Sequence, residues 1–136
     1  MTQNEFLDYA FTIIKSQLQY DNHPYKINTS STTEDTKCFW VYGQEFRLSI
    51  ISDDTTHGQL PLSTKAKNKL DDLGTMLLSE LQWGDDQIET DFDLDRSSIT
   101  SSKIENDWKY STPEYSIVLA LVSSTEPVIE KERERF

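Results

Sequence analysis

The stretch Lys37-Cys-Phe-Trp-Val-Tyr-Gly-Gln-Glu-Phe-Arg-Leu-Ser-Ile-Ile-Ser52 decides what kind of fold this chain adopts. Residues 38–42 and 45–51 are rich in aromatic and β-branched side chains and flank Gly43-Gln44. They read as two antiparallel strands joined by a two-residue turn, with glycine at its first position as a type II′ turn prefers. That register sets Tyr42 opposite Glu45, Val41 opposite Phe46, Trp40 opposite Arg47 and Phe39 opposite Leu48. Phe39, Val41, Phe46 and Leu48 then share a core face, and Cys38, Trp40, Tyr42, Glu45, Arg47 and Ser49 lie on the other. Trp, Tyr and Arg are favoured anchors of protein interfaces, so Trp40 and Tyr42 are candidate partner contacts. The competing reading is structural: a loop or helix covers them and Arg47 lies over the Trp40 ring as a cation–π pair.

On the N-terminal side, Thr2 and Glu5 have the spacing of a capping box, with Met1 and Phe6 placed as a hydrophobic staple. Phe6, Leu7, Ala10, Ile13, Ile14 and Leu18 recur at helical spacing, which predicts a helix that Asp21-Asn22-His23-Pro24 stops. Tyr25-Lys26-Ile27 reads as a short strand, and residues 28–36, polar throughout, as a mobile loop. On the C-terminal side, residues 53–62 read as a loop. Ser63 is the expected N-cap of a second helix through Gln82, with Ala66, Leu70, Leu73, Leu77 and Leu81 buried and Gly84 past its end. Lys65, Lys67 and Lys69 stand in its first turns, where the helix dipole disfavours cations, a conflict that Asp71 and Asp72 or the acidic stretch beyond can answer. Residues 96–102 read as a Ser/Thr-rich connector, and Trp108 and Tyr110 mark a short strand. The run Tyr-Ser-Ile-Val-Leu-Ala-Leu-Val at 115–122 has the composition of a central strand buried on both faces. The expected fold is α+β: a mostly antiparallel sheet of about five strands packed on two helices, one domain over 1–127 and a charged tail at 128–136 that reads as frayed helix or disorder.

Between the second helix and the connector lies Asp85-Asp-Gln-Ile-Glu-Thr-Asp-Phe-Asp-Leu-Asp95. Ile88, Thr90, Phe92 and Leu94 alternate with Glu89, Asp91, Asp93 and Asp95, the period of a half-buried strand. Its outer face would be a row of carboxylates about 6.6 Å apart, near the spacing of phosphates along a nucleic-acid strand. The formal charge of the chain is −11, from 24 acids and 13 bases. Residues 1–84 hold 11 acids and 7 bases, and residues 85–136 hold 13 and 6, so the excess leans to the second part. Such a surface repels nucleic acid and anionic lipid and attracts a basic partner. Solubility alone is the plainer account of the same acidity, and an edge strand that charges its outer face against unwanted pairing is the plainer account of the row.

Cys38 is the single cysteine, which excludes an intrachain disulfide or a cysteine-based zinc cluster and suits a reducing compartment. No leader pattern opens the chain and no segment reaches membrane-spanning length, so a cytoplasmic protein is expected. No phosphate-binding glycine loop, catalytic arrangement or cofactor signature is present, and the expectation is no enzyme, no cofactor and no metal. Three rival readings stand beside this one. A Cys38–His23 or Cys38–His57 pair has the residue types of a nucleophile and its base. Asp91, Asp93 and Asp95 match the first calcium-ligand spacings of an EF-hand, but Arg96 replaces the required glycine and Ser102 the bidentate glutamate; the same three residues define a metal-dependent enzyme as the rival reading. An accessory or phage protein that mimics DNA is the third.

In size, acidity and want of catalytic motifs the whole chain resembles the immunity proteins of bacterial toxin–immunity pairs, including those of contact-dependent and effector-delivery systems. The resemblance carries no residue roles. It implies tight one-to-one binding over the active site of a basic, nuclease-type toxin, with charge steering the encounter and a few aromatic anchors holding it. On this reading Glu89, Asp91, Asp93 and Asp95 form the partner surface, with Trp40, Tyr42, Asp53 and Asp54 as further contacts.

Overall fold

The computed structural model describes residues 2–41, 43–50, 64–83, 98–104 and 106–124. Helix α1, Gln3–Tyr20, opens on the expected capping box: Glu5 N donates to Thr2 Oγ1 at 3.1 Å and Thr2 N to Glu5 Oε1 at 2.8 Å. The hydrogen bonds from Thr2 hold the Glu5 carboxyl below the usual carboxylate range. The apolar face is wider than the stripe read from periodicity, because Tyr9 and Phe11 are buried as well. At the C-terminus Asn22 adopts φ 57°, and His23 N donates to Leu18 O while Asn22 N donates to Gln19 O. This is a Schellman ending in which asparagine takes the left-handed position usually given to glycine.

Six antiparallel strands follow: β1 Tyr25–Ile27, β2 Thr36–Val41, β3 Gln44–Ile50, β4 Thr100–Ile104, β5 Asp107–Ser111 and β6 Ser116–Ser124, with α2, Thr64–Trp83, between β3 and β4. They form one sheet in the order β1-β2-β3-β6-β5-β4. Both helices pack on one face, where Phe39, Phe46, Leu48, Ile117, Leu119, Leu121 and Tyr110 meet the stripes of α1 and α2 in one core. The chain is thus an α+β domain, as the alternating and helical patterns predict, with six strands in place of about five. The strand not foreseen is β4, expected as connector. It is polar and mostly exposed, and its strand character comes from pairing with β5 along Thr100↔Ser111 to Ile104↔Asp107 rather than from an apolar face.

The hairpin register also departs from expectation. Val41 pairs with Gln44, Trp40 with Glu45, Phe39 with Phe46 and Cys38 with Arg47, so the linking positions are 42 and 43, with Gly43 at φ 78°. Moving the register by two keeps every side chain on its face, because sheet faces alternate with period two. Phe39, Val41, Phe46 and Leu48 are accordingly buried together against the helices. Strand β6 sits between β3 and β5, with Ile117, Leu119 and Leu121 in the helix-side core and Val118 and Ala120 buried on the opposite face. This is the doubly buried strand that the 115–122 run implies.

The stretch at 28–35 is a loop, as expected, and it is tied to the sheet by hydrogen bonds. Asn28 N donates to Cys38 O, Cys38 N to Thr32 Oγ1, Thr33 N to Thr36 O and Ile50 N to Asp35 O. The Thr32 hydroxyl accepts from a backbone group that a strand neighbour would otherwise satisfy, and the other three bonds run backbone to backbone.

Helix α2 meets β5 at close range. An added Cβ at Gly74 would lie 2.6 Å from the Trp108 indole, and Tyr110 Oη donates to Gly74 O at 2.7 Å in a fully buried contact. Burial raises the Tyr110 phenol far above its ordinary value, so it stays a neutral donor. Asp71 Oδ1 accepts from Lys103 Nζ at 2.7 Å and Trp108 Nε1 at 3.0 Å, and the Lys103 ammonium stands 4.9 Å over the indole. Lys103 is the main cause that holds the Asp71 carboxyl low, with Trp108 and the more distant Lys67 adding to it. Asp71 therefore answers part of the basic excess in the first turns of α2.

Candidate functional site

The residues expected at a partner surface divide between those described and those outside. Glu89, Asp91, Asp93, Asp95, Asp53, Asp54 and Tyr42 lie outside the described residues, as do His57 and the tail at 128–136. Trp40 is described: it is half-buried on the face away from the helices, between Lys26 of β1 and Glu45 of β3. Its expected cross-strand partner Arg47 stands opposite Cys38 instead, because the turn falls one position earlier than read. Asn28 Nδ2 donates to Glu45 Oε2 at 2.5 Å beside it.

Cys38 shares that face and is buried, and desolvation, aided by Glu45 and opposed by Arg47, raises its thiol. A thiol held protonated is a poor nucleophile. His23 lies on the helix side of the sheet, so the Cys38–His23 pair does not form. Among the described residues, no three His, Cys, Asp or Glu groups gather as a metal site, and no helix is long and apolar enough to cross a membrane.

Two features that the sequence reading passed over stand out. The first is a corner. Gln82 Nε2 donates to Ile99 O at 2.9 Å, which ties the end of α2 to the approach of β4. Positions 83 and 98, which bracket the acidic run in sequence, belong to that corner. Trp83 is 82% exposed there, and Tyr20 at the end of α1 is 80% exposed. Each stands two positions beyond the last buried residue of its helix, Leu81 and Leu18, and two steps turn a helix by about 200°. The apolar periodicity already places both rings away from the core.

The second is a cleft of about 190 Å³ between α1, α2 and the β2–β3 end of the sheet. Leu18, Val41, Phe46, Leu73 and Met76 line it, and Gln17, Asp21, His23, Lys69 and Asp72 supply its polar groups. Local structure explains the assembly. The Schellman ending turns His23 back toward Leu18; the irregularity between Glu45 and Phe46 lies where β3 joins β6; and positions 69, 72, 73 and 76 form one stripe of α2.

Charge is distributed unevenly over the chain. The described residues hold 11 acids and 9 bases, a net of −2, and the remaining 13 acids and 4 bases, a net of −9, fall in the other segments of the sequence. No protein-family model, curated protein or solved structure matches the chain.

Proposed function

We propose that the chain is a non-catalytic acidic binding protein that neutralises a basic protein partner, of the kind the immunity proteins of bacterial toxins exemplify. The observation that carries the reading is the corner at the end of α2. A tryptophan 82% exposed stands there, two residues before a sequence run in which Asp85, Asp86, Glu89, Asp91, Asp93 and Asp95 meet no base. An exposed indole is the side chain most often found at the centre of binding energy in protein interfaces, and a run of one sign beside it supplies steering. The near-neutral framework supports the same reading, since the charge excess is concentrated rather than spread for solubility.

The test is affinity capture on the immobilised chain followed by salt titration and mass spectrometry. The expected result is one basic protein, retained at low salt and released as salt rises, and lost from the Asp91→Lys/Asp93→Lys double variant and from Trp83→Ala. Equal retention by the folded double variant would remove the acidic run from the interface. Retention of acidic or neutral proteins alone would overturn the reading.

A further inference from the structure

We infer that the cleft between α1 and α2 seats one cationic side chain, a lysine or arginine, of a protein partner. The inference rests on the proposed basic partner and adds a second contact, at the end of α1. The cleft floor is apolar, with Leu18, Val41, Phe46, Leu73 and Met76, and carboxylates from two elements stand among its walls, Asp21 on α1 and Asp72 on α2. Long basic side chains suit this arrangement because they lay an aliphatic stem along apolar surface while keeping a charged head at a polar edge.

The charge at the cleft favours a cation. Asp21 is the C-cap of α1, where the negative end of the helix dipole already disfavours an anion, and no basic residue occupies the last turn of α1. Gln17 Nε2 donates to Asp21 Oδ2 at 3.2 Å, which leaves the carboxylate charge in place. Lys69, three residues before Asp72 on the same stripe of α2, offsets one of the two carboxylates, and His23 and Gln17 complete the polar lining. The formal balance is one negative charge beside the carbonyl end of a helix, in a chain of net charge −11. An anionic ligand meets repulsion there, and a purely apolar one leaves the carboxylates without gain.

The test is an NMR titration of the isotope-labelled full chain with N-acetyl-lysine methylamide. N-acetyl-norleucine methylamide, which keeps the aliphatic stem without the ammonium, serves as the neutral control and N-acetyl-glutamate methylamide as the anion. The lysine probe is expected to shift the amides of Leu18, Asp21, Leu73 and Met76 saturably. The norleucine probe should bind about fivefold more weakly, the scale of one partly exposed charge contact, and the glutamate probe should bind less still. Asp21→Asn and Asp72→Asn should each bring the lysine affinity toward that of norleucine. Asp72 is exposed, so that variant keeps the test valid if Asp21→Asn disturbs the helix end. Equal affinity for lysine and norleucine, or no saturable shift at the cleft, overturns the inference. Such a failure leaves the acidic run untouched, because that reading fails on a different result, unchanged partner retention by Asp91→Lys/Asp93→Lys.

Discussion

The sheet with its two helices and the stretches of sequence that join them differ in what they are made of. The first is nearly neutral and rich in apolar side chains at strand and helix periods; the rest of the sequence, the C-terminal tail included, holds 13 of the 24 acids and only 4 of the 13 bases. On the proposed function, the buried core residues set stability, while the acidic run and exposed positions such as Trp83 set association. Like charges within a packed framework cost stability through self-repulsion, and a net charge of −2 over the described residues keeps that cost small. Changes to the buried core should therefore alter stability, and changes to the acidic run or to Trp83 should alter association.

The largest effect should come from the core. Leu77→Ala removes a fully buried side chain from α2 and is expected to cost about 2–5 kcal/mol, read as a fall in the urea midpoint. Next is Gly74→Ala. The added methyl group meets the Trp108 indole, and overpacking at about 1–3 kcal/mol is expected to outweigh the roughly 1 kcal/mol that alanine gains over glycine in a helix. A stabilised variant would show that α2 and β5 are not in tight register. Trp83→Ala should sharpen the contrast from the other side, with stability changed by less than about 0.5 kcal/mol while partner affinity falls.

The smallest effect concerns pH. The Asp71 carboxyl is held low, chiefly by Lys103. Its contribution to stability is therefore fully present above the ordinary aspartate value and is lost as pH falls through the lower folded value. Asp71 is half-buried and its charge is still partly screened by solvent, so the loss should be slight, and Asp71→Asn should flatten that part of the acid-denaturation curve. A curve unchanged by Asp71→Asn would mean that the Lys103 bridge adds nothing to the fold.

Much of the framework was legible in the sequence because alternation is forgiving. The β2–β3 turn falls one position before the one read, yet Phe39, Val41, Phe46 and Leu48 keep their face, since a two-residue change of register preserves parity. The helices were legible from their leucine and isoleucine stripes and from the Thr2–Glu5 box. Strand β4 was not, because Thr100 to Lys103 are exposed on both faces and pairing with β5, a nonlocal fact, makes the strand. Trp83 and Tyr20 were legible in principle, since helical periodicity turns both away from the core. The cleft was not, because it depends on residues between positions 17 and 76 converging from both helices and two strands. The expected row of Glu89, Asp91, Asp93 and Asp95 rests on sequence alternation, as these positions lie outside the described residues.

The most direct measurement is the dissociation constant of the partner complex for the native chain and for Asp91→Lys/Asp93→Lys, each over a range of salt, beside the urea midpoint of each protein. An interface in the acidic run, on which the fold does not depend, predicts an unchanged midpoint, a weaker complex and a shallower dependence on salt in the double variant. A lowered midpoint with affinity and salt dependence unchanged would contradict it.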